Sequence, residues 1–416
     1  MIGGSIAGCA VATALARAGA GQVVVLERTR GRLEDRGVGL CVHDERAVEL
    51  RASGALPEGI AAHPLRRRRW VVRDDAEGPG GRLIWQQPFP FHSYHWGLLW
   101  RGLRESVPAA VVYRQGEAVT AVEAAGTTAA GTAAGTAAAE GEGGDRARVR
   151  LAGGSVERYD LVVGADGYRS VVRAALCAGS RPHYAGYVCW RGNVDAGRLD
   201  ELGGLADPFP DAVTTVCFPG GTCVVYRIPG PGGPRVNWVL YAAPPRDGRL
   251  RLDDPTSFPP GALTPGLADH LDALLEREFP PYWRRALALT DPADTFVQPI
   301  YDLEADRTAG GRLLLAGDAA TVVRPHNTSG AAKALQDATA LADGWRRSDS
   351  FEELLDGYHR ARGAAGRELV ALARRLGRAQ VERTPAWAAM DGAGMAAWWR
   401  GQLDGAPGIG GRAMAP

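Results

Sequence analysis

Apolar residues fall into short runs, each closed by a glycine or an acid, rather than into long spans. The clearest unit is the first. Met1-Ile2 leads into Gly3-Gly4-Ser5-Ile6-Ala7-Gly8, and an Ala-rich stretch to Arg17-Ala18-Gly19 reads as helix. Val23-Val24-Val25-Leu26 then reads as a buried strand closed by Glu27. Two similar buried strands follow, Leu161-Val162-Val163 ending in Gly164-Ala165-Asp166-Gly167, and residues 312–316 ending in Gly317-Asp318-Ala319-Ala320.

Between these runs the pattern turns to alternation. Residues 66–72 and 82–85 read as strands, and residues 187–190, 223–228 and 235–241 as an antiparallel sheet. The arginines Arg66 to Arg69 alternate faces, so they form no single patch; a solvated edge strand is expected, with a substrate role as the alternative. Residues 96–107 read as an amphipathic helix with Leu99 and Leu103 one turn apart. Residues 267–279, 282–289 and 333–345 also read as helices. Residues 124–145 repeat Ala-Ala-Gly-Thr units between strand-like 118–123 and 147–151, so a hairpin loop is expected there. The stretch past Ala386 is rich in Gly, Ala and Trp and suggests no role.

Composition narrows the classes. A chain of 416 residues holds two or three domains. With 48 basic and 47 acidic residues the net charge is +1, so no charge excess suggests a nucleic-acid or membrane-surface partner. No run approaches the roughly 20 apolar residues of a membrane span. Six cysteines lack any C-x-x-C spacing, so no metal site is expected, and the plain reading is a cytoplasmic chain with free thiols. Lys333 is the sole lysine among the basic residues, which with 56 glycines suggests a GC-rich coding bias. It is placed either for its geometry or as a helix-surface residue.

Turn, helix, strand and acid at the start form the back of a β-α-β dinucleotide unit. Glycines admit a pyrophosphate, whose charge the helix N-terminus favours. Glu27, with Arg28 beside it, ends the second strand, where its carboxylate could accept from a ribose. Ser5 stands at the middle glycine position. Only Met1 and Ile2 precede Gly3, where a strand is normal; unpaired neighbours would cost about 1–3 kcal/mol per buried group. The natural product is therefore expected to begin a few residues upstream, with an apolar stretch. Three strand ends carrying glycine and an acid or hydroxyl suggest one large nucleotide on one discontinuous domain.

Those motifs resemble the FAD-dependent aromatic hydroxylases, flavoprotein monooxygenases with the p-hydroxybenzoate hydroxylase fold. Asp166-Gly167-Tyr168-Arg169-Ser170 is similar to that family's second fingerprint. Gly317-Asp318-Ala319-Ala320, with Pro325, Gly330 and Asp337, is similar to its third. Arg36-Gly37-Val38-Gly39 resembles the loop passing the flavin ring. Arg324-Pro325-His326, Tyr187-Val188-Cys189-Trp190-Arg191-Gly192 and the run from Gln298 to Glu304 resemble the 2,6-dihydroxypyridine hydroxylase branch. Trp96 departs from the pattern, standing where many relatives carry an arginine.

The resemblance implies an α/β fold: a discontinuous Rossmann-like FAD domain with a parallel sheet, an antiparallel-sheet substrate domain and C-terminal helices. The FAD domain is expected from 1–64, 94–182 and 298–375, the substrate domain from 65–93 and 183–297, and a tail over 376–416. It implies FAD as cofactor and NADH or NADPH as co-substrate, with O2 and a small aromatic or hydroxypyridine-like substrate hydroxylated through a flavin hydroperoxide. Gly3, Gly4, Ser5, Ile6, Ala7, Gly8, Glu27, Arg28, Arg36, Gly39, Asp166, Asp318, Gly330 and Ala331 would hold the cofactor. His326 would draw the substrate's proton, its ordinary pKa near 6.5 suiting both states at neutral pH. Arg191, Tyr226 and Tyr301 are substrate-pocket candidates. His43, His63, His92, His95 and His183 read as structural. An epoxidase or reductase acting on an isoprenoid or polyketide, or a non-catalytic FAD-binding protein, stands as the alternative. A homodimer is an open option.

Overall fold

The computed structural model describes all residues but 32, 34–37, 125–145, 204, 206–210, 247–249, 251, 253–262, 407 and 412–416. The short apolar runs form a parallel sheet because each is buried on both faces. Val24–Glu27 pairs in parallel with Val112–Gln115, and Val162–Gly164 with Leu313–Leu315. Ile2 joins the two halves, bridging Leu26 on one side and Gly164 on the other. Its N–H donates to Val163 O and the Leu26 N–H donates to Met1 O, both at 2.9 Å. The central position is thus filled by a stub rather than a strand. Helices Ile6–Arg17 and Gly330–Arg347 pack together in the same core.

The second layer is a nine-stranded sheet. Its order is Thr321–Val322, Phe296–Glu304, His183–Asp195, Arg235–Ala242, Gly221–Ile228, Ala212–Phe218, His63–Val72, Arg82–His95, Gly39–His43. Neighbours run antiparallel, except that Ala212–Phe218 lies parallel to His63–Val72. This corrects the expected edge strand: the arginine run lies inside the sheet. The Ala212–Phe218 strand, rich in β-branched residues and wholly buried, covers the flank that would have faced solvent. Strands Gly39–His43 and Phe296–Glu304 also belong to this sheet, although 1–64 and 298–375 were expected in the FAD domain. The reason is that the antiparallel ladder continues through the segments linking the layers.

Alternation gives the sheet two faces. Val188, Trp190, Val225, Trp238 and Leu240 pack on helices Pro265–Glu278 and Pro281–Ala288. Arg191, Val224, Tyr226, Val239 and Tyr241 face the other way, towards the parallel sheet.

The 376–416 segment is no featureless tail. Helix Phe351–Gly377 runs into a π turn, Arg378–Glu382. Helix Gly392–Leu403 then lays Trp398 and Trp399 on Trp70, with ring centroids 5.9 and 5.4 Å apart. Five indoles in contact bury much apolar area. Residues 125–145 lie outside the described residues; the flanking strands Val119–Glu123 and Ala147–Leu151 pair antiparallel.

Candidate functional site

A cavity of about 630 Å³ lies between the two sheets. At one end the first turn of helix Ile6–Arg17 faces it. Gly3 holds φ +96°, and a Cβ there would stand 2.4 Å from the Ala165 carbonyl oxygen. A Cβ on Gly8 would stand 1.9 Å from the Gly3 oxygen, so the turn closes only on glycine. Ser5 makes no side-chain cap and the first turn holds no acid. Helix Gly330–Arg347 is also uncapped by Ser329 and also lacks a first-turn acid. Two helix N-termini thus present free N–H groups to one space.

Gly3, Ser5, Ile6, Ala7, Glu27, Arg28, Gly39, Asp166, Asp318, Gly330 and Ala331 all line the cavity. Gly4 and Gly8 do not; they pack the turn from behind. The Gly4 carbonyl accepts from Trp100 Nε1 at 2.9 Å and from the Tyr113 hydroxyl at 3.0 Å. The Gly4 N–H donates to Glu27 Oε2 at 2.7 Å, and the Thr29 N–H donates to Oε1 at 2.8 Å. Those bonds fix the carboxylate where the second strand ends. Arg36 lies outside the described residues.

Asp166 accepts from the Val171 N–H through Oδ2 at 2.8 Å, while its buried Oδ1 has no partner. Burial raises its pKa. Asp318 is exposed to the cavity; desolvation by the surrounding protein raises its pKa, and Lys333 pulls it back. Its turn is held by a buried ion cluster. Asp337 Oδ2 accepts from the Gly317 N–H at 2.8 Å, and Lys333 Nζ donates to the Gly317 carbonyl at 2.7 Å. Arg362 completes the cluster, 2.6 Å from Asp337 Oδ1. The single lysine is 2% exposed, so of its two readings the geometric one holds and the surface one does not. Free N–H groups, an orphaned acceptor and close glycine turns fit an extended dinucleotide with an anionic middle.

At the other end stand Arg191, Tyr226 and His326, all lining the cavity. His326 Nε2 and the Tyr187 hydroxyl are 2.8 Å apart, and the Tyr241 ring lies 4.3 Å from the imidazole. Burial pushes the His326 pKa down to about 3, and Arg324 and Arg68 add to it. This corrects the expectation of a ring poised near neutrality: the imidazole stays uncharged there. Arg324 anchors the histidine loop by donating to buried Asp302 at 2.8 Å, so the 324–326 and 298–304 motifs meet. His43 and His95 cap helices Asp44–Ala52 and Trp96–Glu105 through backbone N–H groups, and His92 lies 2.7 Å from Asp44.

Tyr301 is a second correction. Its hydroxyl donates to the Leu252 carbonyl and its ring packs on Tyr184, away from the cavity. Ile300 packs with Cys189 and Tyr241 on the cavity side, so strand alternation turns its neighbour outward.

Gln380 and Tyr241 escaped the sequence reading, and Arg68 takes the alternative to the solvated edge strand. Arg68 is 5% exposed, its guanidinium 4.0 Å from the Trp70 ring centre and 5.5 Å from that of Trp399. It donates to Thr215 Oγ1 at 2.9 Å and to Gln380 Oε1 at 3.4 Å. Burial pulls its pKa down to about 10. Gln380 reaches the cavity from the π turn, a geometry often found at functional sites. The one available signal was Trp70, two residues beyond Arg68 and so on its face.

Comparison with known proteins agrees with this geometry. Residues 184–302 match the FAD binding domain-like family and residues 283–373 match the FAD binding domain family. The chain is 33% identical over 225 residues to 2,6-dihydroxypyridine 3-monooxygenase of Paenarthrobacter nicotinovorans, covering 51% of this chain and 55% of that enzyme. It is 30% identical over 364 residues to 3-amino-4-hydroxybenzoate 2-monooxygenase PtmB3 of Streptomyces platensis, covering 82% of this chain and 78% of that one. The solved 2,6-dihydroxypyridine-3-hydroxylase of Arthrobacter nicotinovorans superposes with a TM-score of 0.76 at 25% identity, covering 94% of this chain and 95% of that one. With a cavity lined by the glycine turns at the ends of the parallel strands, and a relative aligned over most of both chains, the protein belongs to the FAD-dependent monooxygenases of the aromatic hydroxylase type.

Proposed function

We propose that the protein uses NADH or NADPH and O2 to hydroxylate an electron-rich aromatic ring of the hydroxypyridine or aminohydroxybenzoate class. The observation that carries this reading is one cavity lined both by the glycine turns and helix N-termini and by Arg191, Tyr226, Tyr241 and His326. The names of the two enzyme relatives supply the substrate class.

FAD, when bound, would supply the redox chemistry. This chain's residues do the rest. Gly3, Ser5 and the first N–H groups of helix Ile6–Arg17 hold the pyrophosphate. Glu27 and Asp318 accept from ribose hydroxyls. The N–H groups of Gly330 and Ala331 would hold the flavin ring. Val224, Val239 and Tyr241 line the chamber wall and exclude water. His326 accepts a hydrogen bond from a ring hydroxyl, which enriches the ring in electrons. Tyr187 fixes the imidazole from behind. A ring held neutral suits acceptance better than proton storage.

The test uses purified, FAD-loaded protein and a panel of hydroxypyridines, aminohydroxybenzoates and phenols. Nicotinamide oxidation should rise with at least one of them, and the product should gain one oxygen atom. If no ring stimulates oxidation and none is oxygenated, the reading falls.

A further inference from the structure

Arg68 and Gln380 form a polar pair at the sheet end of the cavity that nothing in the chemistry above uses. Arg68 is a buried cation, and no carboxylate pairs with it among the described residues. A desolvated charge without a counter-ion is costly, and side chains of this kind are normally paired. Both of its acceptors, Thr215 and Gln380, are neutral. The unmatched groups around it are also donors. Gln380 is 1% exposed and lines the cavity, yet its Nε2 has no acceptor. The indole N–H groups of Trp70 and Trp399, whose rings flank the guanidinium, lack acceptors too. The two rings hold the guanidinium plane in place, which pre-orients it for a planar partner. A surplus of donors and positive charge calls for an acceptor with negative charge.

We propose that Arg68 and Gln380 form an oxyanion subsite, so that the substrate is a ring carrying an ionised oxygen substituent. The inference rests on the hydroxylase reading for the site, and deepens it by naming the residues that select the substrate's charge. Arg68 donates to the oxyanion through a guanidinium nitrogen, and Gln380 adds its free Nε2–H. The substituent could be a carboxylate or an acidic ring oxygen, which share this chemistry.

Binding to FAD-loaded protein, read from the visible absorbance of the flavin and by calorimetry, tests this without turnover. Benzoate is compared with benzamide, and 4-nitrophenolate with 4-nitroanisole. At least one anion should bind about 10–100-fold tighter than its neutral partner, the worth of one or two charge-assisted hydrogen bonds. A preference confined to benzoate identifies a carboxylate, and one confined to nitrophenolate a ring oxygen. Arg68→Met should erase the preference and leave neutral probes unchanged. Gln380→Glu keeps the arginine but gives it an internal counter-ion, and should erase the preference too. Equal binding of anions and neutrals, or no binding of any anion, overturns the proposal. So does an Arg68→Met protein that loses anion and neutral affinity alike, since that marks a purely structural arginine. The hydroxylase reading fails separately, if anions are preferred but no ring is ever oxygenated.

Discussion

The two ends of the cavity recognise their ligands by different means. The cofactor end works through backbone: glycine turns, two uncapped helix N-termini, and carboxylates such as Glu27 held by neighbouring N–H groups. The other end works through side chains from strands and a π turn far apart in sequence, among them Arg68, Arg191, Tyr241 and Gln380. Backbone recognition demands particular residues at fixed spacing, because a Cβ in the wrong place blocks the turn. Side-chain recognition demands only that register and alternation deliver the right group, which many sequences can do.

The largest test of that contrast is Gly8→Val. The added Cβ would sit 1.9 Å from the Gly3 carbonyl oxygen. The purified variant should carry no flavin, measured as visible absorbance per chain. Retained FAD would mean that the turn has slack and the backbone is not what recognises the cofactor.

Trp399→Ala probes the opposite end. Trp399 is 4% exposed, and its truncation should cost about 3–5 kcal/mol of stability by denaturant unfolding. FAD affinity should stay at the parent level. Matching losses of stability and flavin would show that the two ends are one mechanical unit.

Lys333→Met should have a smaller effect. It leaves the Gly317 carbonyl without its buried donor, at about 1–3 kcal/mol, while Asp337 keeps Arg362 and the Gly317 N–H. The loss should appear as weaker FAD binding, since this turn carries Asp318. A variant with normal flavin affinity would detach the ion cluster from cofactor recognition.

His326→Gln should be the mildest at neutral pH. The unfolded imidazole takes a proton as pH falls through its ordinary value near 6.5, whereas the folded ring resists until about 3. Within that window the unfolded state binds more protons, so acid destabilises the parent. The variant lacks this term, and its melting temperature should fall less between about pH 7 and pH 4. Equal acid sensitivity would mean the ring is not held neutral in the fold.

Much of the cofactor end was legible from residue order alone. Turn, helix, strand and acid recur in the structure because each is local: a glycine admits the backbone, the alanines support the helix, the apolar run makes the strand, and the acid ends it. The three turns together suggested one large nucleotide, and the family came from the resemblance of their motifs. The substrate end was legible only in part. Arg191, Tyr226 and His326 do reach the cavity, yet adjacent Ile300 and Tyr301 face opposite ways, and only pairing with His183–Asp195 decides which one faces in. Arg68 looked solvated because its second neighbour, Ala212–Phe218, lies far along the chain. Gln380 and the indole cluster depend on where a long helix breaks and how the last helix returns. By itself the sequence determined a dinucleotide-binding end, since local geometry needs specific residues, and the resemblance of its motifs implied FAD and the class of chemistry. Tertiary structure decided which charges are buried without partners, because burial and pairing are properties of neighbours that the chain brings together only when it folds.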